Sequence, residues 1–213
     1  MTSYESFRNP DRIYRGTDFW MLNGKLTDEE MIRQLDEMHK QGVQCVIART
    51  YIGLESDYPG EGFKAHIRTA CEHARRLGMQ IFLQAGYMPE HVLDLPLAYS
   101  LDYIRITKTE DAPLNEEVLH RADGYTYTRY PSGTFLDLFN EDAVAFYLLQ
   151  SYERMWAGFE EFFGTTVPSV WVDEPSYGGE YLPLPRGFLE RFKEKWGYDL
   201  APRLDCLYFD HEG

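Results

Sequence analysis

Apolar positions along the chain follow two rhythms that take turns. Met31, Leu35 and Met38 recur at helical spacing behind Thr27-Asp28-Glu29-Glu30, where Thr27 is placed to cap a helix and Glu30 to reach back to it. Gly42 ends that helix. "VQCVIAR", Val43 to Arg49, is then a short apolar run with β-branched residues, the pattern of a strand buried on both faces. The same unit recurs: Phe63, Ile67, Ala70, Ala74 and Leu77 mark a second helix, Gly78 closes it, and "MQIFLQ" (Met79 to Gln84) is the next strand. "KQGVQCVIAR" and "RLGMQIFLQA" are two versions of one joint: helix end, glycine, apolar residue, glutamine, strand. "TDFWMLNG" (Thr17 to Gly24) fits a first strand, Glu141 to Phe163 a long third helix, and "VPSVWVDE" a fourth strand. Pro185 to Trp196 fits a fourth helix ended by Gly197.

Strands alternating with helices across short loops predict an α/β fold with a parallel sheet and helices outside it. Four βα units are visible. They fit a small open sheet, or the first half of a TIM-type (β/α)8 barrel, which takes about 250 residues. We take the barrel reading: residues 1–213 as one barrel-type domain, an N-terminal fragment of a longer barrel, with an irregular insertion over 85–140 after the third strand. Within the insertion, "YIRIT" and "GYTYTRYPSGTFLDLF" predict short strands and a hairpin.

In either fold the ligand site lies at the carboxyl ends of the strands. The residues there are Asn23; Arg49 and Tyr51; Gln84 and Tyr87; and Asp173-Glu174-Pro175. Side chains alternate along a strand, so Asp173 and Glu174 face opposite ways and only one can act directly on a ligand. Pro175 keeps Glu174 extended. A carboxyl crowded by Trp20, Trp171 and Tyr177 loses hydration, which raises its pKa toward the range of a general acid. The same pattern also suits a strand that simply ends on solvated acids. Trp20, Trp171, Tyr51, Tyr87 and Tyr177 are the candidate stacking rings, and Arg49, on an otherwise apolar strand, is expected to hold a substrate group or a neighbouring carboxylate.

Composition narrows the partners. With 35 acidic against 21 basic residues the chain carries −14 charges, which opposes binding to phosphate backbones and excludes nucleic acid as a partner. There is no 18-residue apolar run and no signal-peptide pattern at the start, so no membrane span and a cytoplasmic location are expected. Cys45, Cys71 and Cys206 are odd in number and widely spaced, and are expected to be small buried hydrophobes rather than disulfides or zinc ligands. His66 and His73, seven apart, lack metal spacing and are expected to be exposed on one helix face, and His91 stands alone. No cofactor and no metal are expected. Aromatic residues make up 15% of the chain, and with the acidic excess they suit a carbohydrate groove.

Four blocks, "FWMLNGKLTDEEMIRQLDEMHKQGVQCVIART", "RRLGMQIFLQ", "WVDEPSYGG" and "RGFLERFKEKWGYDL", resemble successive pieces of the TIM-barrel region of α-L-rhamnosidase-like enzymes, glycoside hydrolase family 106 and related glycosyl hydrolases. The resemblance covers roughly residues 16–200 and is least in the insertion. It implies a glycosidase acting on an oligosaccharide or glycoside, with Glu174 as general acid/base and the second carboxylate on a later strand, so that the chain alone is expected to be an inactive fragment. The chain departs from the family after the third strand, where "QAGYMPEH" replaces an acidic loop. Some family members use Ca²⁺, and no EF-hand-like pattern accompanies that here. Two other classes fit the same residues: a non-catalytic carbohydrate-binding barrel, and a metal-dependent hydrolase with Asp173 and Glu174 as ligands.

Overall fold

The computed structural model describes residues 3–11, 14–89, 91–173 and 181–210. In chain order its elements begin with α1 (Ser3–Arg8), β1 (Asp18–Gly24), α2 (Asp28–Lys40), β2 (Cys45–Leu54), α3 (Glu61–Leu77) and β3 (Gln80–Gln84). There follow β4 (Ser100–Lys108), β5 (Glu117–Ala122), β6 (Tyr125–Leu136), α4 (Glu141–Leu148), β7 (Val170–Trp171), β8 (Leu182–Leu184) and α5 (Phe188–Trp196). The strands form two sheets, a parallel one in the order β1-β2-β3-β7 and an antiparallel one in the order β5-β6-β4-β8. The chain divides into two compact units. Residues up to Gly86 together with Ser151–Asp173 make the first, and Tyr87–Gln150 with the described residues from Tyr181 onward make the second. Among the described residues no helix is long and apolar enough to cross a membrane.

In the first unit the predicted joints form as the pattern requires. Thr27 Oγ1 accepts the Glu30 amide at 3.2 Å, and Gly78 closes α3 in the left-handed region at φ 72°, where a side chain would be strained. Only half of the expected capping box is made. The Glu30 carboxylate turns to Arg33 and Gln34 instead, and hydrogen bonds from these two, Arg33 foremost, hold its carboxyl at about 2. Parallel register then sorts the strand residues into two sets: Phe19 stands opposite Ile47, Trp20 opposite Ala48, Met21 opposite Arg49, Leu83 opposite Val170 and Gln84 opposite Trp171. One set, with Trp20, Leu22, Val46, Ala48, Ile81 and Leu83, forms the core with Met31 and Leu35 of α2, Phe63, Ile67 and Ala74 of α3, and Met155, Trp156, Phe159 and Phe162.

His66 and His73 depart from expectation. Neither is an exposed helix histidine: His66 Nδ1 lies 2.6 Å from Asp28 and His73 Nε2 lies 2.8 Å from Asp36, so both rings bridge α3 to α2 and are largely covered. A second departure concerns the third helix. Asn140 caps α4 through the amides of Asp142 and Ala143, but the helix ends at Leu148 and continues as a wider π-type turn over Leu149–Arg154. From Trp156 onward the chain makes separate turns, interrupted by Gly158 at φ 88°. Trp156, Phe159 and Phe162 keep a three-residue spacing, which imitates a helical stripe without a helix.

The fourth strand is shorter than the pattern suggested. The segment runs along β3, with Thr166, Ser169 and Trp171 carbonyls accepting from the Ile81, Leu83 and Ala85 amides, but only Val170–Trp171 pairs regularly. Pro168 brings no N–H to the ladder, and the three-residue step from Thr166 to Ser169 against two on β3 puts the ladder out of phase. The fourth helix, α5, belongs to the second unit. Leu184 of β8 pairs with Asp102 of β4, and α5 follows directly, so its Leu189 and Phe192 pack on Ile104, Tyr127 and Leu184 of the antiparallel sheet.

That sheet organises the second unit, including most of the stretch expected to be irregular. β5 and β6 are joined by Asp123 and Gly124, with φ 50° and 83°, the positive pair of a two-residue hairpin turn. On β6, Tyr127 faces the α5 side while Thr126 and Thr128 alternate away from it. The strands are long rather than short, up to the 12 residues of β6.

Cys45 and Cys71 are buried as expected, whereas Cys206 is exposed, because the turn over Ala201–Leu207 packs through Leu204 instead. Burial pushes the Cys71 thiol up to about 12, which removes its thiolate at neutral pH. A thiol reagent such as Ellman's is therefore expected to label one cysteine, Cys206, rapidly in the native protein and all three after denaturation. Rapid native labelling in a Cys206→Ser variant would contradict this core.

Candidate functional site

The candidate site is built on the set of strand residues opposite the helix-facing core. On β1 this set is Phe19, Met21 and Asn23, all exposed; Phe19 is 49% exposed, whereas Trp20 next to it is 5% exposed. On β2 it continues to Arg49 and Tyr51, and on β7 to Trp171. Arg49 and Asp173 are the charged pair at its centre. Arg49 Nη2 donates to Asp173 Oδ2 at 2.7 Å, a link from β2 past β3 to the residue two beyond β7. The guanidinium carbon lies 4.9 Å from the centre of the Trp171 ring and 5.7 Å from that of Phe19. The two rings meet edge to face, with centroids 5.3 Å apart and planes at 81°. A cation beside two ring faces gains about 0.5–2 kcal/mol, depending on how dry the site is.

The sequence-derived candidates are distributed unevenly around this corner. Arg49, Trp171 and Asp173 meet in it, and Tyr51 and Asn23 are exposed toward the same ends of β2 and β1. Trp20 does not join them: it is in the helix-side core, where its Nε1 donates to Gln34 Oε1 of α2 at 2.6 Å. Gln84 is buried. Its Oε1 accepts from the Thr50 amide at 2.8 Å and the Thr50 hydroxyl at 3.2 Å, and its Nε2 donates to the Tyr58 hydroxyl, which in turn donates to Ala85 O. Its amide thus fastens β2 to β3 at their carboxyl ends. Tyr87 belongs to the second unit. Glu174, Pro175 and Tyr177 lie outside the described residues.

No protein-family model matches this chain, and comparison with curated proteins gives no significant match. Among solved structures, it is similar to the rhamnosidase from Novosphingobium sp. PP1Y, with 20% identity and a TM-score of 0.39. That alignment covers 49% of this chain and 11% of the rhamnosidase.

Phe19 and Met21 are the site residues that the sequence reading missed. The signal was available in the side-chain alternation: if Asn23 ends the ligand-facing set of β1, then Phe19 shares its parity and Trp20 does not. Size drew attention to the tryptophan, and parity assigns the position to phenylalanine.

The arrangement presents an ion pair, two exposed or half-buried rings and polar strand ends on one surface. Gln84, level with Trp171 in the register, ties the strand ends at that surface, and its removal leaves the Thr50 amide without its acceptor. Gln84→Leu is expected to lower stability by about 1–3 kcal/mol, read from denaturant unfolding. An unchanged midpoint would mean that this buried amide is not what joins the strand ends.

Proposed function

We propose that this chain is the sugar-binding, acid-bearing portion of a TIM-barrel-type glycoside hydrolase acting on an oligosaccharide or glycoside. The observation that carries the reading is the Arg49–Asp173 pair between Phe19 and Trp171, placed where the parallel strands end and immediately before Glu174. Rings offer their faces to the C–H faces of sugars, and a guanidinium and a carboxylate together serve hydroxyl groups as donor and acceptor. Four parallel strands in chain order support the barrel reading, because consecutive barrel strands are neighbours. The four sequence blocks that resemble the rhamnosidase-like enzymes, in that family's order, support the enzyme class.

In this reading Glu174 is the general acid/base. Its carboxyl proton passes to the glycosidic oxygen as the bond from that oxygen to the anomeric carbon breaks. A second carboxylate, on a later strand, either takes the anomeric carbon or removes a proton from the attacking water. Asp173 is engaged by Arg49 and orients rather than reacts. The same pairing weighs against the metal-dependent rival, since a carboxylate already matched by a guanidinium is a poor ligand for a further cation. Trp171, Tyr51, Asn23 and Tyr177 hold the sugar, with Gln84 fastening the strand ends beside them and Trp20 a support from behind.

The test compares the full-length protein, which brings the acid and its partner carboxylate together, with its Glu174→Gln variant, measuring hydrolysis of aryl glycosides and glycoside binding side by side. Hydrolysis is expected to fall by about 10²–10⁴ with binding retained. Equal hydrolysis by the two proteins would refute the acid assignment. Binding by wild type without hydrolysis would favour the non-catalytic carbohydrate-binding barrel.

A further inference from the structure

The open side of the parallel sheet carries a more specific message about its ligand. A parallel sheet is normally covered on both faces. Here one face is closed by α2, α3 and the Met155–Phe162 stretch, while the other exposes Phe19 near the start of β1, and Met21 and Tyr51 further along β1 and β2. Scattered exposed apolar residues need no explanation, but these share the surface of a charged pair and a second ring.

Phe19 is the telling member. It is half exposed as the second residue of β1, and its ring makes an edge-to-face corner with Trp171 at 5.3 Å. Arg49 lies against both rings, and its bond to Asp173 engages one Nη2 proton of the five donors that a guanidinium carries. The corner therefore combines apolar walls, hydrogen-bond donors and acceptor oxygens with charges that cancel. An anionic sugar would meet Asp173 together with a chain of net charge −14 and would find Arg49 already matched. A neutral sugar ring meets no such opposition: it stacks its C–H face on the aromatic wall and shares its hydroxyls between guanidinium and carboxylate.

We infer that Phe19 is the stacking wall of β1 for the ligand, and that the corner it makes with Trp171 across Arg49–Asp173 selects a neutral pyranoside over a hexuronide. This inference rests on the carbohydrate reading above and adds a residue and a charge class to it. A stacking wall needs a ring face and not mere apolar bulk, which gives the test its controls.

The full chain is titrated by calorimetry with methyl glycosides of neutral hexoses and with the methyl glycoside of a hexuronic acid, for wild type and for Phe19→Ala, Phe19→Leu and Phe19→Tyr. Far-UV circular dichroism checks that each variant is folded. Phe19→Tyr is expected to bind the neutral glycosides within about threefold of wild type, while Phe19→Leu and Phe19→Ala weaken them roughly tenfold or more. The hexuronide is expected to bind wild type at least about tenfold more weakly than the neutral sugars. Phe19→Leu binding like wild type would overturn the stacking role, and a hexuronide binding as well as the neutral sugars would overturn the charge class. Both results would leave the carbohydrate reading intact. Failure of wild type to bind any of these glycosides would overturn the inference and the carbohydrate reading together.

Discussion

The alternation of side chains along the parallel strands governs both the core and the candidate site. In a sheet with a period of two, every residue that enters the helix-side core assigns its neighbours to the other face. Trp20 and Leu22 go in with α2 and α3, and so Phe19, Met21 and Asn23 must stand on the opposite side. Ala48 goes in, and Arg49 must come out beside Met21. No contact at the site needs to be specified separately for these residues to meet. A one-residue slip of β1 against β2 would send Trp20 into the corner and Phe19 into the helices, destroying both at once.

The corner itself is a poor device for stability. Ion pairs as accessible as Arg49–Asp173 contribute about 0–1 kcal/mol, and apolar residues of similar volume would fill the same space at least as well. Two rings beside the guanidinium add modestly to that. Stability therefore does not explain why β2, after Cys45, Val46, Ile47 and Ala48, carries an arginine matched to a residue two strands away. The proposed recognition of a ligand gives it a reason, because a held cation and a held carboxylate between rings have fixed directions before the ligand arrives.

Much of the first unit was legible in the sequence because its signals are local. Thr27, Gly42, Gly78 and the repeated glycine-apolar-glutamine joint each act within a few residues, and the strands and helices they bound occur close to where the pattern put them. The failures came where a local pattern served a distant partner. Trp156, Phe159 and Phe162 have helical spacing but fill the core from consecutive turns, and α5 is amphipathic but packs on the antiparallel sheet to which β8 leads. The hairpin expected among the tyrosines and threonines of the insertion does form, with its turn at Asp123-Gly124. At the site, Arg49, Trp171 and Asp173 followed from strand ends alone. Gln84 followed from the strand end as well, but its hydrogen bonds to Thr50 and Tyr58 depend on partners that no local pattern reveals.

The central claim, as proposed above, is that a sugar occupies the surface formed by Phe19, Arg49, Trp171 and Asp173. The most direct measurement is a titration of ¹⁵N,¹³C-labelled protein with a neutral methyl pyranoside, following the aromatic and guanidinium resonances by NMR. The account predicts saturable shifts concentrated on the Phe19 and Trp171 rings and the Arg49 side chain, with the Trp20 indole, on the other face of the same strand, moving least. Shifts confined to the antiparallel sheet, or larger at Trp20 than at Phe19, would contradict it.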